Sequence, residues 1–343
     1  MGQNNLKDFY ETLRKQSMSP LWEVLDQLVT KEPQDQTKPH IWKFDEIKKH
    51  ILSAGNFITA EEAERRVLIL ENPGLPGRSR ITNTLYAGMQ LVLPGEIAPN
   101  HRHTQSALRF IIEGKGAYTT VNGEKVVMQP GDFIITPNWA WHDHGNETSE
   151  HVIWLDGLDI PLIQFLNSSF AEKSKHPKQS KINSEHTSLS QYSNGLIPDN
   201  YKTNKPGTAS PLFSYPYSAT KSALYDMLYT SRIDPYHGIK LKYVNPTNGF
   251  YAIPTIATFM QLFPKEFESL PYQTTESIVY CIVEGEGETV INKKTFSWKP
   301  KDTFVTPAWS TIKHFSDKDS IIFSFSDRPT QELLGLWREN KIT

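Results

Sequence analysis

The pattern of hydrophobic and polar positions changes its period near residue 60. Between residues 5 and 30, and again between 43 and 58, apolar residues recur every three or four positions, which predicts helices. From residue 66 onward the apolar runs are short and are cut by Gly, Pro and Asn-Gly, which is typical of antiparallel strands joined by tight turns. The sequence therefore predicts N-terminal helices followed by a mainly β protein.

The strand-rich pattern occurs twice. FIIEGKG at 110–116 matches CIVEGEG at 281–287, and QPGDFIITPNWAWHDH at 129–144 matches KPKDTFVTPAWSTIKH at 299–314. Order and spacing agree to within one residue, so we expect two copies of one β-domain, each an antiparallel barrel or sandwich.

The predicted organisation has two such domains separated by a connector. We expect an N-terminal helical segment at 1–60, a first barrel at 61–170, a connector with a short helix at 171–240, and a second barrel at 241–343. The connector is assigned because 171–221 is dense in Pro, Ser and Lys. Shorter helices are expected at 222–232 and, at the C-terminus, at 333–340.

Composition excludes several classes of protein. The formal net charge is −2, which does not favour a nucleic acid or an anionic membrane as partner. The single cysteine, Cys281, excludes an internal disulfide and fits a reducing compartment. The N-terminus has no apolar signal region, and no apolar run approaches the length of a membrane span. A cytoplasmic protein is the simplest expectation.

Candidate chemistry is concentrated in the first repeat. His101 and His103 lie two residues apart and would share one face of a strand, with Arg109 at the same parity. By the same rule His142 and His144 share a face. If three of these imidazoles bound one metal, they would suit Fe, Zn, Cu or Ni. A metal held by neutral ligands keeps its full charge. Such a site should favour an anionic, chelating substrate.

These spacings resemble the two signature motifs of the cupin superfamily. Gly95 precedes the histidine pair by five intervening residues, and Gly131 precedes Pro137 in the same way, with His142 and Asn146 following. Two departures stand out: no glutamate occurs at 104–108, and Trp139 replaces the internal glycine of the second motif. The resemblance implies a metal held by His101, His103 and His142 without a carboxylate.

Residues 71–146 resemble more specifically the gentisate 1,2-dioxygenases, through HRHTQSALRF, EGKGAYT, GDFIITP and WHDHGN. This resemblance implies a bicupin fold of two double-stranded β-helix barrels. It also implies Fe(2+), cleavage of gentisate by O2 to maleylpyruvate, and a homotetramer. An aromatic acid would chelate the iron while Arg109 binds its carboxylate. The family also uses positions that match Gln90 and Asp156 near the substrate.

Several assignments stay open at this level. His144 is either a proton carrier or a structural residue, since His314 occupies its place in the second repeat. Gln90 and Asp156 have structural alternatives, and Asp143 could support the site or be an ordinary loop carboxylate. For Arg65 and Arg66 a solvated strand end is the favoured interpretation, over contact with substrate.

The second repeat lacks the ligands. Its residues at the positions of His101, His103 and His142 are Tyr272, Thr274 and Ile312, so we expect a metal-free, structural barrel. A second ligand pocket without metal is the alternative. For the whole protein, the alternatives are a dioxygenase for salicylate or 1-hydroxy-2-naphthoate, and a non-catalytic cupin that binds a small ligand.

Overall fold

A computed structural model describes residues 2–199 and 208–342. The chain divides into two compact units, Met1–Gln34 and Asp35–Thr343. The first unit contains α1 (Gly2–Lys15), a 3-10 turn (Leu21–Glu23) and α2 (Leu25–Leu28). Within it, Trp22 Nε1 donates to the Tyr10 hydroxyl, and that hydroxyl donates to Glu23, both over 2.9 Å. Helix is therefore confirmed in this region, in shorter pieces than the periodicity predicts.

The second unit contains two antiparallel barrels, which confirms the mainly β, two-barrel fold. Its helices are α3 (Phe44–Ala54), α4 (Ala60–Ala63), α5 (Ile160–Phe165), α6 (Thr187–Tyr192), α7 (Tyr217–Thr230) and α8 (Arg328–Leu333). No helix within the described residues combines the length and the apolarity needed to cross a membrane.

The first barrel is formed by a six-stranded and a five-stranded sheet. The larger sheet has the order β12 (Ser214–Tyr215), β8 (Phe133–Thr136), β5 (Ala107–Glu113), β10 (Val152–Leu158), β3 (Tyr86–Val92) and β2 (Val67–Ile69). The smaller sheet has the order β11 (Ala171–Lys173), β4 (Ile97–His103), β9 (His142–Asn146), β6 (Ala117–Val121) and β7 (Glu124–Val127).

The second barrel repeats this arrangement. One sheet has the order β1 (His40–Trp42), β20 (Thr303–Thr306), β17 (Ile278–Glu284), β22 (Ser320–Ser326), β14 (Ala257–Phe263) and β13 (Ile239–Lys242). The other has the order β19 (Lys294–Trp298), β18 (Gly287–Ile291), β21 (Ile312–Ser316), β16 (Tyr272–Thr274) and β23 (Glu339–Lys341), with β15 (Phe267–Glu268) paired to β21.

The two barrels exchange edge strands. β1 precedes the first barrel in the chain but pairs with β20 of the second, whereas β12 precedes the second barrel and pairs with β8 of the first. The helix after each exchanged strand is capped by the same barrel that the strand joins. Asp302 accepts from the backbone N–H of Phe44 at the start of α3, and Asp132 accepts from that of Tyr217 at the start of α7, each over 2.9 Å. A carboxylate at a helix N-terminus also interacts favourably with the helix dipole.

A common hydrophobic core joins the barrels. Phe110 of β5 stacks on Phe323 of β22 with ring centroids 4.2 Å apart and planes 6° from parallel. Buried residues of both larger sheets belong to the same cluster. The segment boundaries at 60, 170 and 240 stay a prediction, but the packing places both barrels within one compact unit.

Local elements follow the sequence with one clear exception. The helix expected at 43–58 is confirmed as α3, and the helix expected at 222–232 is confirmed within α7. The Asn122-Gly123 turn joins β6 to β7, with positive φ at both residues. The helix expected at 333–340 is wrong: α8 ends at Leu333, and β23 pairs with β16 instead.

The connector lies against the first barrel along much of its described length. β11 pairs with β4, with Ala171 opposite His103 and Lys173 opposite His101. Further along, the Gln179 backbone N–H donates to Asp143 over 2.9 Å. The strand that carries two candidate ligands therefore has a neighbouring strand on each side.

Candidate metal centre

Three histidines converge inside the first barrel. β4 carries His101 and His103, and β9 carries His142, which lies directly opposite His101 in the antiparallel register. A nitrogen from each ring lies within 4.8 Å of the others. A register shift interrupts the pairing between Ala98 and His101, but it precedes both β4 histidines and leaves their shared face intact.

Two of these rings are oriented by backbone carbonyls. His103 Nδ1 lies 2.9 Å from the carbonyl oxygen of Gln105, and His142 Nδ1 lies 3.0 Å from that of Ala140. Because a carbonyl only accepts hydrogen bonds, each Nδ1 carries the proton. The Nε2 lone pairs of both rings are then available to a metal, as is usual for metal-ligating histidines.

The third ring has a different neighbour. Arg65 Nη2 lies 3.3 Å from His101 Nδ1, and a guanidinium only donates hydrogen bonds. In this contact His101 Nδ1 is the acceptor. To offer Nε2 to a metal, His101 must carry its proton on Nδ1, so this contact has to lengthen.

All three imidazoles are held neutral. Burial, assisted by the charges of Arg65 and Arg109, lowers the pKa of His101 to about 2 and that of His103 to about 4. Burial likewise lowers the pKa of His142 well below its ordinary value. Neutral imidazole is the form that binds metals, so the donor set fits a divalent transition metal. The three-histidine arrangement is therefore metal-capable without a carboxylate ligand.

Arg109 is buried beside the histidines, as its parity predicts. Its Nη1 donates to the hydroxyl of Thr136 over 2.6 Å, and its Nε lies 3.6 Å from Asp156 Oδ1. Trp154 Nε1 donates to the same carboxylate oxygen over 3.0 Å. Burial raises the pKa of Asp156 to about 6, although the positive charge of Arg109 opposes the rise. Thr136 and Asp156 thus fix the direction of a guanidinium that can pair with an anionic ligand.

The two arginines that precede β2 have separate roles, and the expectation of a solvated strand end is wrong. Arg66 is buried and makes two hydrogen bonds to Glu96, of 2.6 and 2.8 Å, and further bonds to the carbonyl of Ile58. Arg65 instead borders His101. Strand alternation is consistent with this position of Arg65. Arg65 lies on the same face as Val67, and Val67 packs against Gly88 inside the barrel.

Gln90 lies in the same sheet as Arg109. It is buried on β3, opposite Val67 of β2 and Trp154 of β10. On the same face, a methyl group added at Gly88 would come within 2.5 Å of Val67 Cγ1 and 3.0 Å of the Tyr86 hydroxyl. The absence of a side chain at Gly88 therefore provides the space that Tyr86 occupies.

His144 lies next to the three histidines without joining them. Its ring centroid is 5.7 Å from that of His142, and its Nδ1 lies 2.9 Å from the Thr119 hydroxyl. Its Nε2 is buried and has no hydrogen-bond partner, so it is free to meet a ligand. Asp143 points to the opposite face of β9, where it holds the connector at Gln179.

The second barrel preserves this scaffold with different side chains. Tyr272 lies opposite Ile312 in the register that joins His101 to His142. His314 Nδ1 lies 2.9 Å from the Thr289 hydroxyl, the same separation as between His144 and Thr119. The hydrogen bond is therefore common to both barrels, whereas the three candidate ligands occur in the first.

Trp139, at the position of the motif's internal glycine, adopts a backbone conformation that favours glycine. Its φ is +61°, in the left-handed region that favours glycine. Its backbone N–H donates to the carbonyl of His103 over 2.7 Å. This hydrogen bond links the turn before His142 to the strand that carries the other two histidines.

The family follows from sequence similarity over nearly the full length. A family model described as a cupin domain matches residues 88–158. Gentisate 1,2-dioxygenase 1 of Aquipseudomonas alcaligenes is 49% identical over 335 residues, which cover 98% of this chain and 96% of that protein. The chain belongs to the gentisate 1,2-dioxygenase family.

Other relatives in this family have names that specify related aromatic acids. The 5-aminosalicylate 1,2-dioxygenase of a Comamonas species is 34% identical, with 98% of this chain and 90% of that protein covered. A crystal structure of salicylate 1,2-dioxygenase from Pseudoaminobacter salicylatoxidans, with gentisate, matches the fold with a TM-score of 0.93. That match has 32% identity and covers 99% of this chain and 95% of the other. The resemblance seen in the sequence is thus confirmed.

Proposed function

We propose that this protein is an Fe(2+)-dependent dioxygenase that converts gentisate and O2 to maleylpyruvate. The observation that carries the proposal is the convergence of three neutral imidazoles beside two arginines, Arg65 and Arg109. Such a site holds a metal and attracts an anion. The 49% identity to a gentisate 1,2-dioxygenase supports the choice of gentisate as that anion.

His101, His103 and His142 would hold the iron. Bound there, iron would supply redox access between an electron-rich aromatic ring and O2, while the protein orients both. Three ligands leave coordination positions open, as in non-haem iron oxygenases. Imidazoles alone do not select iron over zinc, copper or nickel, so the choice of Fe(2+) is supported by the dioxygenase family.

Substrate orientation is assigned to Arg109 and Arg65. A planar guanidinium matches a carboxylate with two parallel hydrogen bonds. Arg109 is held by Thr136 and Asp156, so it loses little freedom when it pairs with the gentisate carboxylate. Arg65 contributes a second positive charge beside His101, and its pKa of about 9, lowered mainly by burial, leaves it charged at neutral pH.

Proton handling is assigned to His144, and wall contacts to Gln90. The unpartnered Nε2 of His144 can accept or donate a proton at a ring hydroxyl, while Thr119 fixes the other nitrogen. Gln90 adds amide donors and an acceptor to the same interior. Asp156 acts on the substrate through Arg109, by balancing its charge.

A second candidate is a dioxygenase for a related acid such as salicylate, 5-aminosalicylate or 1-hydroxy-2-naphthoate. Relatives that carry those names support it, and their sequences are 32% to 34% identical to this chain. The hydroxyl of Tyr86 lies beside Gly88, and we assign this residue to the wall that would distinguish ring substituents. A homotetramer and a cytoplasmic location are further expectations from the family resemblance and the single cysteine.

The test is O2 uptake by protein loaded anaerobically with Fe(2+), with gentisate, salicylate and 1-hydroxy-2-naphthoate compared at equal concentration. The proposal predicts the highest kcat/KM with gentisate. A higher kcat/KM with another acid would favour the second candidate. Full iron occupancy without O2 uptake in the presence of any of the three acids would favour a non-catalytic cupin that binds a small ligand.

A further inference from the structure

An outward-facing arginine lies between the first two ligands on β4. Its guanidinium stacks on two aromatic rings. Arg102 Cζ lies 4.4 Å from the ring centroid of Trp139 and 4.7 Å from that of Trp141. Its Nε and Nη2 donate to one carboxylate oxygen of Glu172 over 2.9 and 2.6 Å. Glu172 lies directly opposite Arg102 on β11. The guanidinium is therefore fixed by two ring faces and by an ion pair.

The two tryptophans flank the residue that orients the third ligand. Ala140 lies between Trp139 and Trp141, and its carbonyl accepts from His142 Nδ1 over 3.0 Å. The Trp139 backbone N–H also donates to the His103 carbonyl over 2.7 Å. A group that holds both rings is therefore connected through one residue to the carbonyl that orients His142.

The direct pairing between β4 and β9 is interrupted close to the ligands. β4 and β9 pair at Ile97 and Ala98 and again at His101, with a register shift between them. Side-chain contacts at this end therefore add to the backbone hydrogen bond from Trp139 to His103 in fixing the two strands. A guanidinium over the face of a tryptophan ring is attracted by the ring quadrupole, so the two stacked contacts of Arg102 stabilise one arrangement of this short turn.

The second barrel offers an internal comparison. The positions of Arg102, Trp141 and His142 are taken there by Gln273, Thr311 and Ile312. Trp309 keeps the place and the positive φ of Trp139, and its N–H donates to the Thr274 carbonyl over 2.6 Å. The turn is thus common to both barrels, while the arginine stack accompanies the histidines.

We propose that Arg102 is a positioning residue for the metal centre, which sets the direction of His142 through Trp139, Trp141 and the Ala140 carbonyl. It contacts neither metal nor substrate. The inference rests on the proposed function, because it assumes that the three histidines hold a metal. It assigns a supporting role to residues that lie beside the three histidines in the chain but are not ligands.

The test measures metal affinity without turnover. Fe(2+) dissociation constants are determined anaerobically by competition with a chelator for the wild type, Arg102→Ala, Arg102→Lys and Trp141→Leu. The matched control is Gln273→Ala, at the corresponding position of the second barrel. The visible absorption of Co(2+)-loaded protein reports ligand geometry, and melting of the metal-free proteins reports folding.

Arg102→Ala should weaken Fe(2+) binding about 10- to 100-fold, as outer-shell changes at metal sites typically do, and should alter the Co(2+) bands. Arg102→Lys should recover part of the affinity, since an ammonium keeps the ion pair and one cation–π contact. Combining Arg102→Ala with Trp141→Leu should cost little more than either change alone, because both act on the same turn. Gln273→Ala should match the wild type.

Arg102→Ala with wild-type Fe(2+) affinity and Co(2+) bands would overturn the inference. If Arg102→Ala fails to fold, Trp141→Leu decides the question by the same two measurements. A wild-type protein that binds no Fe(2+) would instead contradict the proposed function, so the two failures are distinguishable.

Discussion

Arg109 Nε lies 3.6 Å from Asp156 Oδ1, with both side chains almost completely buried. A buried ion pair of this kind is weak evidence for stability, since both charges have lost their solvation. It is better explained as a means of keeping a guanidinium charged and directed inside the barrel. Gentisate would then supply a second carboxylate to pair with this guanidinium.

Arg109→Ala should therefore retain iron but bind gentisate about 10- to 100-fold more weakly, the loss expected for a hydrogen bond to a charged group. Anaerobic titration of the Fe(2+)-loaded variant measures the dissociation constant, and metal analysis confirms iron occupancy. Arg109→Lys should recover little, because an ammonium cannot form the bidentate pair. Unchanged gentisate affinity would remove Arg109 from the substrate site.

The metal assignment predicts a contrast between the two barrels. His101→Ala should lose Fe(2+) affinity by more than about 100-fold, beyond the range typical of outer-shell changes, and should lose turnover with it. His314→Ala in the second barrel should keep both. Chelator competition and O2 uptake measure the two quantities. Equal iron binding by His101→Ala and the wild type would contradict the three-histidine site.

His144 should affect turnover rather than metal binding. His144→Gln should keep iron and lower kcat about 100-fold or more, the usual contribution of a positioned proton carrier. His314→Gln makes the same change in the barrel where Thr289 replaces Thr119 as partner, and it should leave kcat unchanged. Parallel steady-state kinetics check this. A wild-type kcat for His144→Gln would assign His144 a structural role.

Asp159 predicts a pH dependence of stability. Its carboxylate accepts from the Ser106 N–H and from the hydroxyl of Thr255, which lies between β13 and β14 of the second barrel. Burial raises its pKa from 3.8 to about 6, against the effect of these two hydrogen bonds. A raised folded-state pKa contributes stability that is fully present below the unfolded pKa and is lost as pH rises through about 6.

Asp159→Asn removes this titration, so its free energy of unfolding relative to the wild type should improve between pH 4 and pH 7. The expected change is roughly 3 kcal/mol, from about two pKa units. Denaturant titrations at several pH values measure it, with exposed Asp317→Asn as control. A constant difference across this range would show that Asp159 does not titrate as its burial implies.

Much of the metal site follows from local rules in the sequence. Alternation along a strand places His101 and His103 on one face, and the repeat predicts where the second barrel departs from the first. The three histidines meet because His142 lies opposite His101 in the register, which the motif spacing anticipates. Strand parity also predicts the burial of Arg109.

Other features depend on contacts that local patterns do not contain. The exchange of β1 and β12 between barrels joins residues far apart in the chain, such as His40 and Val305. The helix expected at 333–340 does not form because Gly335, at a φ of +70°, lies just beyond the end of α8. The chain that follows pairs with β16 as β23. Alternation places Arg65 and Arg66 on opposite faces, and the folded strand identifies the face of Arg65 and Val67 as the one that borders His101.

The most direct test of the central claim is the mass of the product formed from gentisate and ¹⁸O2 by the Fe(2+)-loaded protein. The account predicts consumption of one O2 per gentisate and a ring-opened product that carries both labelled atoms. Full iron occupancy with gentisate left intact, or a product that carries fewer than both atoms, would contradict it.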